Sequence, residues 1–154
     1  FDECHFAYLE DIDIGYRAKI YGYQNTYCPA ALVRHVGSGT SGSKYNTFKV
    51  KLSARNSIYL NYKNMPVPQL VLNILPLAAG YVIKYLFFCK NGFGKDYCEG
   101  IKEGLNTLRV CKKVPFRWKF FFNYCRIEWE LFANTWAYAA VWGKRKLKRK
   151  SEGL

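Results

Sequence analysis

The pattern of apolar and polar residues predicts helices over most of the chain. In residues 44–64, aromatic and leucine side chains recur every three or four positions with cations between them, which is typical of an amphipathic helix. Residues 10–21 begin with acids, continue with cations and are followed by Gly22, the charge order and stop signal of a helix. Two further helical patterns cover residues 97–113 and 116–142.

Residues 24–43 lack this helical pattern. Residues 24–35 carry β-formers around Pro29, so we expect two short extended pieces there. Residues 37–43 read GSGTSGS, a composition that predicts a flexible loop.

The most apolar stretch is residues 69–89, about twenty residues with Lys84 as its one charge, which is close to the length that spans a bilayer. Asn73, Pro76 and Gly80 interrupt it, and polar or helix-breaking residues need partners inside hydrocarbon. Three interpretations stay open: a helix in the membrane plane or re-entering it, a true span, and a buried core helix. We favour the first because cations flank the apolar residues.

Residues 116–142 are rich in Trp, Phe and Tyr, which is typical of a water–lipid boundary, although a core stripe packed on the preceding helix is the alternative. The tail that follows, KRKLKRK, places six cations in seven residues. It could be a solvated end or a nucleic-acid arm, and its place after an aromatic helix favours an anchor for anionic lipid.

The charge is strongly positive and unevenly distributed. Lys and Arg number 24 against 11 Asp and Glu, a formal charge of +13, and between Asp13 and Asp96 every charged residue is a cation. Such a stretch attracts phosphate groups. The residues expected at a membrane or anionic surface are Lys49, Lys51, Arg55, Lys84, Trp118, Trp129, Trp136, Lys144, Arg145 and Lys146.

Six cysteines lie far apart without the CxxC spacing of a zinc or redox site, which favours free thiols in a reducing compartment.

The densest chemical signal is the group of acids Glu10, Asp11 and Asp13, one turn before Arg17. Acids at a helix start can simply cap the helix and interact with its dipole. The same crowding of carboxylates also suits a general base.

Residues 1–37 contain FDE, FAYLEDIDIGYRAKIYGY and YCPAALVRHVG. Together these strings resemble the acceptor-side signature of family 2 (GT-A type) glycosyltransferases, especially the bacterial rhamnosyltransferase-like group. The string KVKLSARNSIYLNYKN is similar to the segment that follows in those enzymes, so the resemblance extends to about residue 64.

The resemblance implies an α/β fold class. We expect the C-terminal end of a Rossmann-like GT-A domain, with its last helix and edge strands, followed by an α-helical membrane-associated tail, so that the chain is mostly helical. The implied domains are residues 1–43 as the incomplete catalytic domain, residues 44–143 as membrane-associated helices and residues 144–154 as a basic tail.

The resemblance also implies roles for the acids. Asp11 matches the catalytic base, which takes the proton from the acceptor hydroxyl, and Glu10 matches the partner acid that contacts the acceptor or orients the base. Asp13 and Arg17 match structural positions and can pair with each other.

His35 matches a histidine near the metal or the donor diphosphate, with a satisfied core histidine as the alternative. Gly37, Ser38 and Gly39 would belong to a lid over donor and acceptor. The implied cofactor is a divalent metal, Mg or Mn, bound mainly by an N-terminal half with a DxD motif. No DxD motif suited to that role is present here, since Asp11-Ile12-Asp13 has the letters but lies in the acceptor motif. We therefore expect a fragment that is inactive alone.

The predicted function is inverting transfer of a sugar from a nucleotide-sugar donor to a glycan or lipid-linked acceptor in cell-surface polysaccharide synthesis. It would take place at the cytoplasmic face of the cell membrane, with an anionic membrane surface as partner and no nucleic acid. The alternative is a noncatalytic basic module that binds anionic membrane or nucleic acid. The acid cluster, which would repel phosphate, favours the enzyme.

Overall fold

The computed structural model describes residues 1–33 and 45–151, without the side chains of residue 139 and residues 142–151. The regular elements in this part of the chain are helices. They are α1 (Glu10–Ile20), α2 (Thr47–Asn64), α3 (Val67–Leu72), α4 (Ile74–Lys90), α5 (Gly94–Asn106) and α6 (Phe121–Ser151), with short 3-10 turns at Glu3–His5, Leu108–Val110 and Trp118–Phe120.

The predicted α/β fold class, the end of a GT-A domain with edge strands, is wrong, because the described residues form an all-α structure without a strand. Residues 24–33 contain a turn, in which the Ala31 N–H donates to the Cys28 carbonyl at 3.1 Å, in place of the two predicted extended pieces. A strand needs a neighbouring strand to pair its backbone, and none is present in the described residues. The predicted loop, residues 37–43, lies outside them.

The helices predicted at residues 10–21 and 44–64 are confirmed as α1 and α2. The Asn46 side chain caps α2 by accepting a hydrogen bond from the Lys49 N–H at 2.8 Å. The two later helices are displaced from their predicted bounds: α5 ends at Asn106, and α6 begins only at Phe121.

The apolar stretch from residue 69 to residue 89 is broken at Asn73 and belongs to two helices, α3 and α4. The Asn73 side chain donates to the Gln69 carbonyl at 2.9 Å and to the Glu128 carboxylate at 2.8 Å, which fixes the break against α6. Pro76 then stands in the first turn of α4, where a missing N–H breaks no helical hydrogen bond.

None of the residues of α4 is buried, so the interpretation as a buried core helix is wrong. Among the described helices, none combines the length and the apolar character needed to cross a membrane.

Helices α2 and α5 form the closest helix pair of the fold. Val50 and Ala54 of α2 pack with Tyr97 of α5 in a buried cluster. Gly100 lets the two backbones approach, since a Cβ at this position would lie 2.2 Å from the Lys51 carbonyl oxygen and 2.8 Å from the Ala54 Cβ.

A second core joins α1 to α6. Ile20 of α1 packs against Tyr124 and Ile127 of α6, and all three side chains are buried. Beyond this contact α6 presents its aromatic residues outward, with Trp129 68% and Trp136 63% exposed, so the interpretation of the aromatic residues as a core stripe is wrong for these two.

We expect Gly100→Ala to destabilise the fold by about 1–3 kcal/mol, because the new methyl group meets backbone that cannot move without separating α2 from α5. Gly80→Ala is the matched control. A Cβ at Gly80 meets nothing within 4 Å, so the better helix propensity of Ala should raise stability by roughly 0.5–1 kcal/mol. Urea unfolding followed by circular dichroism measures both changes, and equal effects of the two substitutions would contradict the packing described here.

Candidate functional site

The carboxylate of Asp13 is the buried anchor of α1. Its side chain is 0% exposed, and it accepts hydrogen bonds from Lys63 Nζ at 2.9 Å and from Asn64 Nδ2 at 2.8 Å, both on α2. Arg17, one turn later on α1, forms the ion pair with Asp13 expected from their spacing, at 2.8 Å. Lys63 also pairs with Asp2. Asp13 is therefore fully occupied by structural contacts.

Burial alone would raise the pKa of Asp13, but the hydrogen bonds from Asn64 and Lys63 outweigh it and hold this pKa below its ordinary value. Desolvation would likewise raise the pKa of Asp2, but the hydrogen bonds from Lys63 and Cys4 and the charge of Lys63 together lower it. Both carboxylates therefore stabilise the fold above their ordinary pKa of about 4, and this contribution is lost as the pH falls through the lowered values.

The loop before α1 has an unusual backbone. Phe6, Tyr8 and Leu9 adopt φ angles of 57°, 70° and 67°, a backbone region that residues other than glycine rarely occupy. The buried Asn56 of α2 holds this loop, because its Nδ2 donates to the carbonyls of His5 and Ala7 at 2.7 Å and of Tyr8 at 2.9 Å. Such strain persists only where the surrounding structure fixes it, and it is common at functional sites.

Two polar atoms near this loop are buried without a hydrogen-bond partner, His5 Nε2 and Glu10 Oε2. The His5 side chain is 0% exposed, and burial lowers its pKa, so the imidazole is neutral at pH 7. An unpaired buried polar atom costs free energy, and each one therefore calls for an explanation.

Asp11 differs from both neighbouring acids because its side chain is exposed. Its Oδ1 accepts a hydrogen bond from the Ile12 N–H at 2.8 Å, which orients the carboxylate at the start of α1. Asp11 lies at a shallow recess of about 280 Å³. The other lining residues are Ile12, Gly15, Tyr16, Lys19 and Asn25.

A second recess of about 230 Å³ lies on the other side of Ile12, between α1, α2 and α4. Leu9, Asn61, Tyr81 and Lys84 are among its lining residues. The start of α1 is thus flanked by two recesses, one open to the Asp11 carboxylate and one with an exposed cation at its edge.

Among the described residues, the cations predicted for an anionic surface are divided between two helices, α2 and α4. Lys51 pairs with Glu99 at 3.2 Å and Arg55 with Glu103 at 3.3 Å, so both cations hold α5 against α2. Lys84 is exposed on α4.

Three further predicted surface residues lie elsewhere. Lys49 is half-buried in the first turn of α2, while Trp118 is 79% exposed and lies just before α6, which carries the exposed Trp129 and Trp136.

Several predicted residues lie outside the described part of the chain. They are His35, Gly37, Ser38 and Gly39, together with the side chains of Lys144, Arg145 and Lys146. Among the residues that the structure describes, no three His, Cys, Asp or Glu side chains are grouped to hold a metal ion.

Sequence reasoning missed His5, Asn56, Lys63 and Asn64 as parts of the site. A signal for two of them was present: Leu52, Asn56, Tyr59 and Lys63 follow the spacing of one helix face, and all four are buried. Polar residues on an otherwise apolar face indicate a buried polar network.

Comparison of the chain with protein-family models, with curated proteins and with solved structures finds no match.

We expect Asn56→Leu to destabilise the protein by about 1–3 kcal/mol, because three loop carbonyls lose their donor and the strained backbone is no longer held. Urea unfolding measures the loss, and limited proteolysis within residues 5–9 reports release of the loop. Asn61→Leu, on the same helix, removes a single bond to the Tyr81 hydroxyl and serves as control. Proteolysis that is unchanged in Asn56→Leu would show that the loop does not depend on this amide.

Proposed function

We propose that the chain supplies the acceptor-side general base of an inverting glycosyltransferase, with Asp11 as the base. The observation that carries the proposal is the contrast among the three acids at the start of α1. Asp13 is held in ion pairs and Glu10 is half-buried, whereas Asp11 is exposed at a recess that Lys19 and Asn25 also line. An exposed acid at a rigid helix start suits proton transfer.

In the proposed reaction an acceptor hydroxyl lies at the recess beside Asp11. The carboxylate takes the hydroxyl proton while the oxygen attacks the anomeric carbon of a nucleotide sugar. The bond from that carbon to the diphosphate breaks, and the nucleoside diphosphate leaves with the electron pair. Because the attack comes from the side opposite the leaving group, the product has the inverted configuration.

Glu10 is proposed to orient the acceptor. Its Oε2 is buried without a hydrogen-bond partner, so the carboxylate must turn toward the recess to accept a hydrogen bond from a sugar hydroxyl. The position of Glu10 is set by the strained loop and by Asn56, so the same contacts that hold the loop also fix both acids. His35 and the residues after it remain proposed contacts to the donor.

We expect Asp11→Asn to lower sugar transfer by roughly 10²–10⁴-fold, the usual contribution of a general base, with no loss of stability because the side chain is exposed. Sugar transfer from a panel of nucleotide sugars to membrane extracts is measured for the product of the complete gene and for the variant. Thermal unfolding of both proteins is measured alongside to check that stability is unchanged. Glu3→Gln removes another exposed carboxylate nearby and is the control. Transfer by Asp11→Asn at the wild-type rate would make Asp11 a helix-capping residue only.

We also propose that the protein works at an anionic membrane surface, with α4 lying in the plane of the membrane. Leu75, Val82, Ile83 and Leu86 follow the spacing of one face of α4, and each side chain is at least 56% exposed. An exposed apolar helix of this kind, with Lys90 beside its apolar residues, is suited to the boundary between headgroups and acyl chains. The exposed tryptophans of α6 support the same partner.

We expect the chain to sediment with vesicles of mixed phosphatidylglycerol and phosphatidylcholine and to stay partly bound as salt is raised. The double variant Ile83→Ser with Leu86→Ser should lose the vesicle binding that persists at high salt. Each apolar side chain contributes roughly 1.5–3 kcal/mol to the free energy of binding when it inserts into the membrane. Val110→Ser, at a side chain 67% exposed but outside α4, is the control. Binding that disappears entirely with salt and is displaced by single-stranded nucleic acid would favour the basic-module alternative.

A further inference from the structure

Two thiols that are 107 positions apart in the sequence meet beside the loop before α1. The Cys111 thiol donates to Cys4 Sγ at a sulfur–sulfur distance of 2.9 Å. A disulfide bond is about 2.0 Å long, so the two atoms need to approach by only about 0.9 Å to be joined. The contact brings together the 3-10 turn at the start of the chain and the turn that follows α5.

We propose that Cys4 and Cys111 form a reversible disulfide, and that this pair is a redox-modification site that fastens the strained segment before α1 to the turn after α5. The inference rests on the contact between the two sulfur atoms and does not require the proposed glycosyltransferase activity.

The two thiols differ in their access to solvent, which sets the order of the reaction. Cys4 is half-exposed, whereas Cys111 is 4% exposed. A low-molecular-weight disulfide such as oxidised glutathione therefore reacts first at Cys4.

The exchange has two steps. The Cys4 thiolate attacks one sulfur of glutathione disulfide, forms a mixed disulfide and releases one glutathione thiolate. The Cys111 thiolate then attacks the Cys4 sulfur and releases the second. In total two protein thiols are oxidised to one disulfide and one glutathione disulfide is reduced to two thiols.

His5 lies beside the attacking thiol, with its Nδ1 3.5 Å from Cys4 Sγ. Burial lowers the pKa of His5, and burial with the hydrogen bond to Cys111 raises the pKa of Cys4, so little Cys4 thiolate forms at neutral pH. The exchange is therefore faster at higher pH, where solvent base takes the thiol proton.

The crosslink acts on the loop that holds the acids of α1. Asn56 and the Asp2–Lys63 pair hold this segment by hydrogen bonds and charge alone. A covalent link from Cys4 to Cys111 closes a loop of more than a hundred residues, which removes many conformations of the unfolded chain.

The test uses the full 154-residue chain in which only the Cys4–Cys111 pair is kept. The four remaining cysteines, all exposed, are changed to serine: Cys28, Cys89, Cys98 and Cys125. The protein is equilibrated with mixtures of oxidised and reduced glutathione, quenched with an alkylating reagent and measured by intact mass and by non-reducing peptide mapping.

We expect a loss of about 2 Da, protection of both cysteines from alkylation, a linked Cys4–Cys111 peptide and full reversal by dithiothreitol. The oxidised form should melt roughly 10 °C above the reduced form. Cys4→Ser in the same background is the matched control. It should give no linked peptide and the same melting temperature in both buffers.

Two results would overturn the proposal. In one, both thiols stay open to alkylation at every glutathione ratio; in the other, a glutathione adduct persists on Cys4 without transfer to Cys111. Circular dichroism of each variant establishes that it is folded. Cys111→Ser in the same background is a second control. If it does not fold, the decision rests on Cys4→Ser, which changes the half-buried partner and leaves Cys111 in place.

Discussion

The ion pair between Asp13 and Lys63 is the contact on which the rest of the structure depends. Both side chains are almost fully buried, and they join the first turn of α1 to the last turn of α2. Removing one partner of a buried pair leaves an uncompensated charge and costs about 3–5 kcal/mol. Asn64 and Arg17 complete the hydrogen bonding of the carboxylate, so α1 can be placed in only one way on α2. The exposed position of Asp11, two residues earlier, follows from this placement.

The segment before α1 is held by three unrelated kinds of contact. Asp2 pairs with Lys63, Cys4 touches Cys111, and Asn56 binds successive loop carbonyls. These contacts together offset the strain of a backbone with three positive φ angles. The result is a rigid start for α1, which a site for proton transfer requires, since a carboxylate displaced by 1 Å loses much of its effect.

The positive charge of the chain has two uses. Lys51 and Arg55 are paired with acids of α5, and Lys19 is paired with Glu130 of α6, so part of the formal charge of +13 stabilises helix contacts within the chain. Lys90, four residues after Leu86 on α4, lies instead on the same helix face as exposed apolar side chains. Cations paired between helices and an exposed cation beside apolar helix residues support the proposed membrane partner over a phosphate backbone.

The sequence by itself determined the positions of α1 and α2, because helix periodicity, caps and stop signals act between residues a few positions apart. It also identified the cluster of acids at the start of α1. Only the tertiary structure distinguishes the two aspartates: α2 buries Asp13, whereas Asp11 is exposed. Both lie among acids and isoleucines in the first turn of α1, so local sequence does not tell them apart.

Three features depend on partners far away in the chain: the lack of strands around Pro29 in the described residues, the helix break at Asn73 and the contact between Cys4 and Cys111. A strand depends on a second strand, the helix break is held by Glu128 of α6, and the thiols meet only after α1, α2 and α5 have packed. Local pattern cannot contain such information, because these contacts join segments that are tens of residues apart.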